Sequence, residues 1–369
     1  MSLDSGFRPL HVLTPSRLGG AEVLLARLAP RLRERGHHVH IVCNNRSRSL
    51  NALRSLFEES SFEVAARPVG GKVNPRALSS LIRHVKETKS EFTHSHLSSA
   101  SWWAGWLDAL GLCPSIGHVH GFTGTIWHRQ QSHLIACSHA VKAHLVESGI
   151  KVEKITVLPN PVSPDEFRAA RSSEDVRREL GVGTTTPVVG TFGLLAEKKG
   201  VRDLIKAVPL VVREHPNVQF WFVGEGPLRA ELEQSAALSG CSDNVRFLGF
   251  RRDVADVMNA VDIMALPSHR EPFGLVYVEA ALLDKPSVAC TSGGAPEVVL
   301  QEKTGLLVPP HDATSLATAI NRLLDNRGEA TQMGRAGHDY VLETFRWDRF
   351  IPTLEEVYGG LREKHRAHR

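Results

Sequence analysis

Two glutamates around a Pro-Phe-Gly turn form the stretch of this chain that is best suited to chemistry. Glu271 opens the segment Glu-Pro-Phe-Gly, and Glu279 follows eight positions later among valines and alanines. If a helix begins near Gly274, Glu279 lies about one and a half turns into it. A carboxylate among apolar side chains costs free energy unless hydroxyls or cations satisfy it. A ribose diol would satisfy Glu279, and the alternative is a helix glutamate that faces solvent.

Glycine-rich loops after predicted strands offer places where a phosphate group can approach the backbone. Gly19 and Gly20 open a predicted helix, and Lys199 precedes Gly200 at the start of another. Helix N-terminal amides and a lysine together suit a diphosphate. A tight turn and a solvated lysine explain the same residues without a ligand, so both interpretations stay open here. Two further loops follow predicted strands. Residues 224–227 are expected to form part of the wall of the ligand-binding cleft, and residues 292–297 are expected to let a sugar lie against the backbone.

His118 and His120 stand out among 19 histidines because Gly-His-Val-His-Gly ends a predicted strand. Strand alternation places both imidazoles on one face. Two histidines at this spacing raise the question of a metal, but we see no carboxylate or third histidine at ligand spacing and predict none. A ligand-facing histidine and a hydrogen-bonded structural histidine remain the two alternatives.

Short apolar strands alternate with amphipathic helices and must position these loops. Strand 10–13, helix 21–35 and strand 38–42 predict a parallel strand–helix–strand unit. This alternation of strands and helices is interrupted at residues 159–164, where three of six residues are prolines, and it begins again with strand 188–192. We therefore predict two α/β domains, 1–162 and 163–346, and a helical tail, 347–369. Ligands bind beyond the carboxyl ends of such sheets, so the loops are expected to converge on a cleft between the domains.

Composition narrows the class of protein. Hydrophobic residues make up 42%, charged residues 23%, and the net charge is +4, which suits a soluble globular protein and does not favour nucleic acid as a partner. Five widely spaced cysteines argue against disulfides, and we see neither a signal peptide nor a membrane span. We expect a cytoplasmic protein. Arginines 27, 31, 33 and 35 on one helix suit either peripheral contact with anionic lipid at the inner membrane face or a solvated surface.

Taken together, these motifs resemble the retaining glycosyltransferases of family four, which have the GT-B fold. The resemblance runs along nearly the whole chain in order: Gly-Gly-Ala-Glu, His-Val-His-Gly, the proline linker, the lysine–glycine loop, Gly-Glu-Gly-Pro, then residues 271–280 and the loop 293–297. It implies two Rossmann-like domains that face each other across a cleft, with the helix from residue 347 packed back on the first domain.

The resemblance also implies roles for individual residues. Those implied in catalysis are His120 rather than His118, Lys199 and Glu271. Those implied in donor binding contact the diphosphate, the ribose, the sugar or the base; they are Gly20, Gly193, Lys199, Phe250, Arg252, Glu271, Phe273, Gly274, Leu275 and Glu279.

The implied reaction moves a hexose-type sugar, with retention, from a UDP-, GDP- or ADP-sugar to a hydroxyl of a glycan, lipid-linked or small-molecule acceptor. Its implied setting is the synthesis of cell-envelope polysaccharide, lipopolysaccharide or another glycan, without metal or cofactor. Two departures are visible: Leu194 stands where relatives carry arginine, and the segment 121–137 before Ser138 is short. A sugar-nucleotide epimerase and a non-catalytic nucleotide-sugar binding protein remain the alternatives.

Overall fold

The computed structural model describes residues 6–15, 19–58, 61–71 and 73–367. The chain divides into two compact units. The first comprises the residues up to Pro161 together with those from Asp348 onward, and the second is Val162–Trp347. The boundaries predicted from the sequence, after residues 162 and 346, each lie one residue from the observed ones.

The strands of the first unit are β1 (Pro9–Leu13), β2 (His40–Asn44), β3 (Val64–Arg67), β4 (Phe92–His96), β5 (Ser115–Val119), β6 (His133–Ala136) and β7 (Ile155–Val157). Within the described residues they form a parallel sheet of order β3-β2-β1-β4-β5-β6-β7. The second unit contains β8 (Val188–Phe192), β9 (Gln219–Val223), β10 (Val245–Gly249), β11 (Ile263–Leu266), β12 (Ser287–Cys290) and β13 (Gly305–Val308). These strands form a second parallel sheet, of order β10-β9-β8-β11-β12-β13.

Helices connect the strands of both sheets. They are α1 (Gly20–Glu34), α2 (Leu50–Glu58), α3 (Pro75–Thr88), α4 (Ser98–Ala109), α5 (His139–Glu147), α6 (Ser173–Glu179), α7 (Val201–Glu214), α8 (Arg229–Leu238), α9 (Val254–Asn259), α10 (Leu275–Leu282), α11 (Ala313–Asp325), α12 (Arg327–Thr344) and α13 (Trp347–Ala367). Both units are therefore Rossmann-like, which confirms the predicted α/β fold class.

Local patterns explain why several elements lie where the sequence predicts them. Helix α3 begins after Asn74, whose side chain caps the Arg76 amide, and Pro75 occupies its first turn. Helix α1 buries four leucines at helical spacing: Leu24, Leu25, Leu28 and Leu32. Helix α7 begins at Val201, next to the helix start predicted at Lys199 and Gly200, and β8 covers the predicted 188–192.

Other elements differ from the predictions. The expected strand 38–42 is wrong by two residues, because His37 and His38 bond to Phe7 before the ladder of β1 and β2 begins at His40. Residues 313–344, to which the sequence assigned no element, form α11 and α12. Helix α12 packs through small residues such as Gly334 and Gly337, which leave little apolar periodicity to recognise.

Helix α13 packs on the first unit, as the resemblance implied. Its Tyr358 hydroxyl lies 2.8 Å from His94 Nδ1, and Arg362 pairs with Glu91 at 2.7 Å. Among the helices that the structure describes, none is both long enough and apolar enough to cross a membrane. All five cysteines are buried.

Candidate functional site

A lysine–glutamate pair lies at the carboxyl ends of β8 and β11. Lys199 Nζ donates a hydrogen bond of 2.6 Å to Glu271 Oε2. The Lys199 side chain is 21% exposed and that of Glu271 only 8%. The structure thus brings together two residues that the sequence singled out separately, and the cation keeps access to solvent.

The loop that carries Lys199 is tied to the loop that follows β11. The His269 amide donates to the Lys198 carbonyl at 3.0 Å, and His269 Nε2 lies 2.5 Å from Asp203 Oδ2 on α7. Gly200 has a φ of +66°, and a Cβ there would overlap the Pro267 carbonyl. His269 and Asp203 therefore hold Lys199 and Glu271 in place, although their sequence positions gave no signal of this role.

The turn 224–227 supports the loop that begins at Gly193. A Cβ on Gly224 would overlap the Gly193 carbonyl, and a Cβ on Gly226 would overlap that of Leu195. The Gly193 amide also donates to the Val223 carbonyl at 2.9 Å. These glycines allow close contact between two segments of backbone, which agrees with a supporting role for this turn.

Helix α10 begins directly after the Pro-Phe-Gly turn. Gly274 has a φ of +99°, where a Cβ would collide with Tyr277, so the turn depends on glycine. The Phe273 side chain is 2% exposed and packs edge-on against Phe345 at 5.1 Å. Phe273 can therefore offer a ligand its backbone but not its ring. Leu275, the first residue of α10, is partly exposed.

Glu279 lies on α10 and is partly exposed. The expectation of a carboxylate embedded in apolar surroundings is therefore only half met, since its immediate helix neighbours Val278 and Ala280 are fully buried. A partly exposed carboxylate on this helix remains able to accept hydrogen bonds from a diol.

The loop 292–297 packs against the glutamate loop. A Cβ on Gly293 would overlap the Glu271 carbonyl, and one on Gly294 would overlap that of Pro272. The Gly294 amide donates to the Glu271 carbonyl at 2.7 Å. The small residues expected to admit a sugar therefore make room for protein backbone.

The turn after β10 exposes an aromatic ring. Phe250 is 75% exposed, and Arg252 is also exposed. Arg251, by contrast, pairs with Asp253 at 2.6 Å. An exposed ring beside a cation is suited to stack on a planar base. Leu194, at the position where the family resemblance implies an arginine, is partly buried and carries no charge.

The start of α1 carries an internal carboxylate. Glu22 is 2% exposed and accepts a hydrogen bond of 2.8 Å from the Gly19 amide, next to the exposed Gly20. Burial raises the pKa of Glu22, while its hydrogen bonds with the backbone amides of Gly19 and Glu22 act in the opposite direction. Arg17 and Leu18, which precede Gly19 in the chain, lie outside the described residues.

Two of the arginines expected to suit anionic lipid, Arg33 on α1 and Arg35 at its C-cap, make contacts within the first unit. Arg35 forms two hydrogen bonds of 2.7 Å with Glu355 on α13. The Arg33 guanidinium lies 4.4 Å from the centre of the Phe62 ring. These contacts reduce the surface charge that this helix presents to an anionic lipid.

His118 and His120 belong to a histidine cluster in the first sheet, whose other members are His11 on β1 and His94 and His96 on β4. The rings of His118 and His120 stack at 4.1 Å. His120 is partly exposed, and the other four are fully buried. The sequence missed this cluster because β1 and β4 are distant in the chain, although the two strands are neighbours in the sheet.

Burial keeps the cluster neutral. It lowers the pKa of His11 to about 3 and that of His120 to about 4, and it lowers the pKa of His94, His96 and His118 well below the usual range. Desolvation disfavours the charged imidazole in each case. At neutral pH these rings can therefore act through hydrogen bonds rather than through charge.

Comparison with known proteins identifies the family and the fold. Residues 172–340 match the family described as Glycosyl transferases group 1, and residues 18–166 match Glycosyltransferase Family 4. A crystal structure of HepE from Anabaena in complex with UDP has a TM-score of 0.84 at 24% identity, with 96% of this chain and 100% of that chain covered. This likeness, at such low identity, concerns the fold, which is GT-B.

Two curated relatives match part of the chain. A GDP-mannose-dependent monoacylated alpha-(1-6)-phosphatidylinositol monomannoside mannosyltransferase of Corynebacterium glutamicum is 36% identical over 221 residues, which are 57% of this chain and 54% of that protein. A D-inositol 3-phosphate glycosyltransferase of Corynebacterium kroppenstedtii is 35% identical over 197 residues, which are 51% and 44%. The chain thus spans about half the length of these relatives. Since the two family matches together cover most of the sequence, the chain belongs to the family-four, or group 1, glycosyltransferases.

Proposed function

We propose that this protein is a retaining hexosyltransferase that moves a sugar from a nucleoside diphosphate sugar to a hydroxyl acceptor. The observation that carries the proposal is the pair of Lys199 and Glu271, 2.6 Å apart at the start of α7 and close in sequence to the N-terminus of α10. A diphosphate needs positive charge, and both a lysine and helix N-terminal amides supply it.

Each donor group has a partner of suitable chemistry in the second unit. Lys199 would exchange part of its bond to Glu271 for the diphosphate, with the amides of Gly274 and Leu275 around it. The Gly193 amide, to which the family resemblance gave a donor-binding role, is already bonded to the Val223 carbonyl. Glu279 would bind the ribose diol, and Phe250 with Arg252 would hold the base. Gly20 and His120 keep, in this proposal, the diphosphate and sugar roles that the family resemblance gives them.

The site must stabilise the negative charge that develops on the diphosphate leaving group. As the bond between the anomeric carbon and the phosphate oxygen breaks, negative charge builds on the diphosphate, and fixed positive groups lower that barrier. Lys199 and the helix amides provide this stabilisation without a divalent ion. We therefore propose metal-independent transfer.

Retention is proposed to arise by attack from the face of the departing phosphate. A double displacement would need a carboxylate nucleophile at the anomeric carbon. Glu271 is bound to Lys199 through one oxygen, which favours a role in positioning over one as nucleophile. In the proposed step the acceptor oxygen bonds to the anomeric carbon, the phosphate oxygen leaves, and the acceptor proton passes to that phosphate.

The names of the relatives guide the choice of substrates. HepE was crystallised with UDP, and the Corynebacterium mannosyltransferase is named for GDP-mannose. Both curated relatives are named for inositol-containing acceptors. We propose a glycan or glycolipid acceptor in envelope synthesis, with UDP and GDP as the first bases to test.

A thermal-shift panel of UDP, GDP and ADP and their hexose conjugates tests donor binding, since a ligand stabilises the fold that binds it. The preferred donor is then incubated alone and with hydroxyl acceptors, in excess chelator, and the anomeric configuration of the product is read by NMR. Acceptor-dependent release with retention supports the proposal. An isomerised donor without acceptor would indicate an epimerase, and tight binding without turnover would indicate a binding protein.

A further inference from the structure

Three rings of the histidine cluster form a continuous hydrogen-bonded row. His11 Nδ1 lies 3.1 Å from His96 Nε2, and His96 Nδ1 lies 3.1 Å from His120 Nε2. The ring planes are inclined by only 22° and 15°, with centroids 5.5 and 5.4 Å apart. The rings therefore meet edge to edge, as an N–H···N hydrogen bond requires.

A neutral imidazole carries one N–H donor and one lone pair, so such a row has two directions. In the outward direction, His11 donates to His96 and His96 donates to His120. In the inward direction, His120 donates to His96 and His96 donates to His11. The two directions place the proton of His120 on different nitrogens, Nδ1 or Nε2.

The hydrogen bonding of His11, at the buried end of the row, distinguishes the outward direction from the inward one. His11 Nε2 is buried, and within the described part of the chain it has no hydrogen-bond partner. In the inward direction this atom would carry a proton with no acceptor, whereas in the outward direction it is only an unused lone pair. Orphaned N–H groups are rarer in protein interiors than unused acceptors. The outward direction is therefore favoured.

We propose that His96 is a positioning residue that fixes the tautomer of His120, with Nε2 of His120 as acceptor and Nδ1 as the protonated donor. His120 is the partly exposed member of the cluster. It thus offers a ligand a neutral N–H group, which is suited to a sugar hydroxyl oxygen. This last step rests on the proposed function, whereas the tautomer itself does not.

A metal ion is the competing use of these rings. Nitrogens of His96, His118 and His120 lie within 4.8 Å of one another. However, both His96 nitrogens are engaged in the row, and the His118 and His120 rings lie face to face with an inclination of 20°. A ligating nitrogen holds a metal ion near the plane of its own ring, and two nearly parallel rings stacked face to face do not share such a position at the roughly 2.0–2.1 Å that zinc requires.

The test is nitrogen NMR on chelator-treated full-length protein with ¹⁵N-labelled histidine. We expect Nδ1–H tautomers for His11, His96 and His120 in the wild type, with the His120 signals assigned by their loss in His120→Gln. Coupling across the N–H···N bond between His96 and His120 measures the direction without any core substitution. An Nε2–H tautomer at His120 would overturn the proposal.

His96→Phe removes the donor and should leave His120 as a mixture of tautomers. His118→Phe is the matched control, because within the described residues neither nitrogen of His118 has a hydrogen-bond partner, and it should leave His120 unchanged. An unchanged His120 in His96→Phe, or Zn²⁺ that binds the wild type stoichiometrically and shifts these nitrogens, would contradict the proposal.

Transfer assays separate this inference from the proposed function. His96→Phe should lower turnover about tenfold while nucleoside diphosphate binding stays unchanged, because His96 is not among the proposed diphosphate ligands. If the tautomer changes but turnover does not, the row is supported and the role given to His120 toward the sugar is refuted.

Discussion

Replacement of Lys199 by methionine tests the donor site most directly. Methionine keeps much of the apolar stem of lysine but removes the ammonium group that bonds to Glu271 at 2.6 Å. Two effects are expected, one on transfer and one on stability, and their sizes follow from different features of the pair.

The effect on transfer comes from the leaving group. Removal of one preorganised charge-assisted contact to a developing anion costs about 3 kcal/mol, or roughly a 100-fold loss in kcat/KM. Leu194 provides no substitute charge at the position where the family resemblance implies an arginine. The loss should therefore appear in full, and mainly in kcat.

The effect on stability comes from Glu271, which is 8% exposed and would lose its cation. A buried charged group that loses its partner costs about 1.5–3 kcal/mol. Lys199 is 21% exposed, so water can partly replace it, and about 1–2 kcal/mol is expected. Adding Glu271→Gln to Lys199→Met should recover most of this stability but none of the activity.

Urea unfolding of the wild type, both single variants and the double variant gives the coupling energy, and donor turnover on the same samples gives the kinetic effect. Wild-type turnover in Lys199→Met would refute the role in leaving-group stabilisation. A coupling energy near zero would show that the ion pair contributes nothing to the fold.

Three further outcomes are expected. Glu279→Gln should lower transfer at least about tenfold, because a neutral amide accepts weaker hydrogen bonds from a diol; equal stability to the wild type is the control, and full activity would contradict the ribose assignment. Phe250→Ala should weaken nucleoside diphosphate binding by about 1–3 kcal/mol in calorimetry, the usual range for loss of a base-stacking ring; unchanged affinity would place the base elsewhere. The first unit should lose stability as the pH falls below about 6.5, because His11, with a folded pKa of about 3, and its neighbours bind protons more readily when unfolded. His118→Phe should reduce that acid sensitivity in thermal melts at pH 5 relative to pH 7.5, and an identical pH dependence in both proteins would refute this account.

Much of the fold could be predicted because it follows from local patterns. Helix α7 and strand β8 have the residues expected of them, since hydrophobic periodicity and glycine punctuation act over a few residues. The Glu-Pro-Phe-Gly segment was recognisable for the same reason. Helix α12 was not, because its buried side is made largely of small residues such as Ala330 and Gly334.

The sequence by itself determined two α/β units and the loops that carry Lys199, Glu271 and Glu279. Only the tertiary structure decided which of these side chains meet, and which glycines, such as Gly293, make room for backbone rather than ligand. The row of His11, His96 and His120 is the clearest case. Its members come from strands whose adjacency depends on strand order and register, and crossover helices separate those strands in the chain, so no local spacing records their contact.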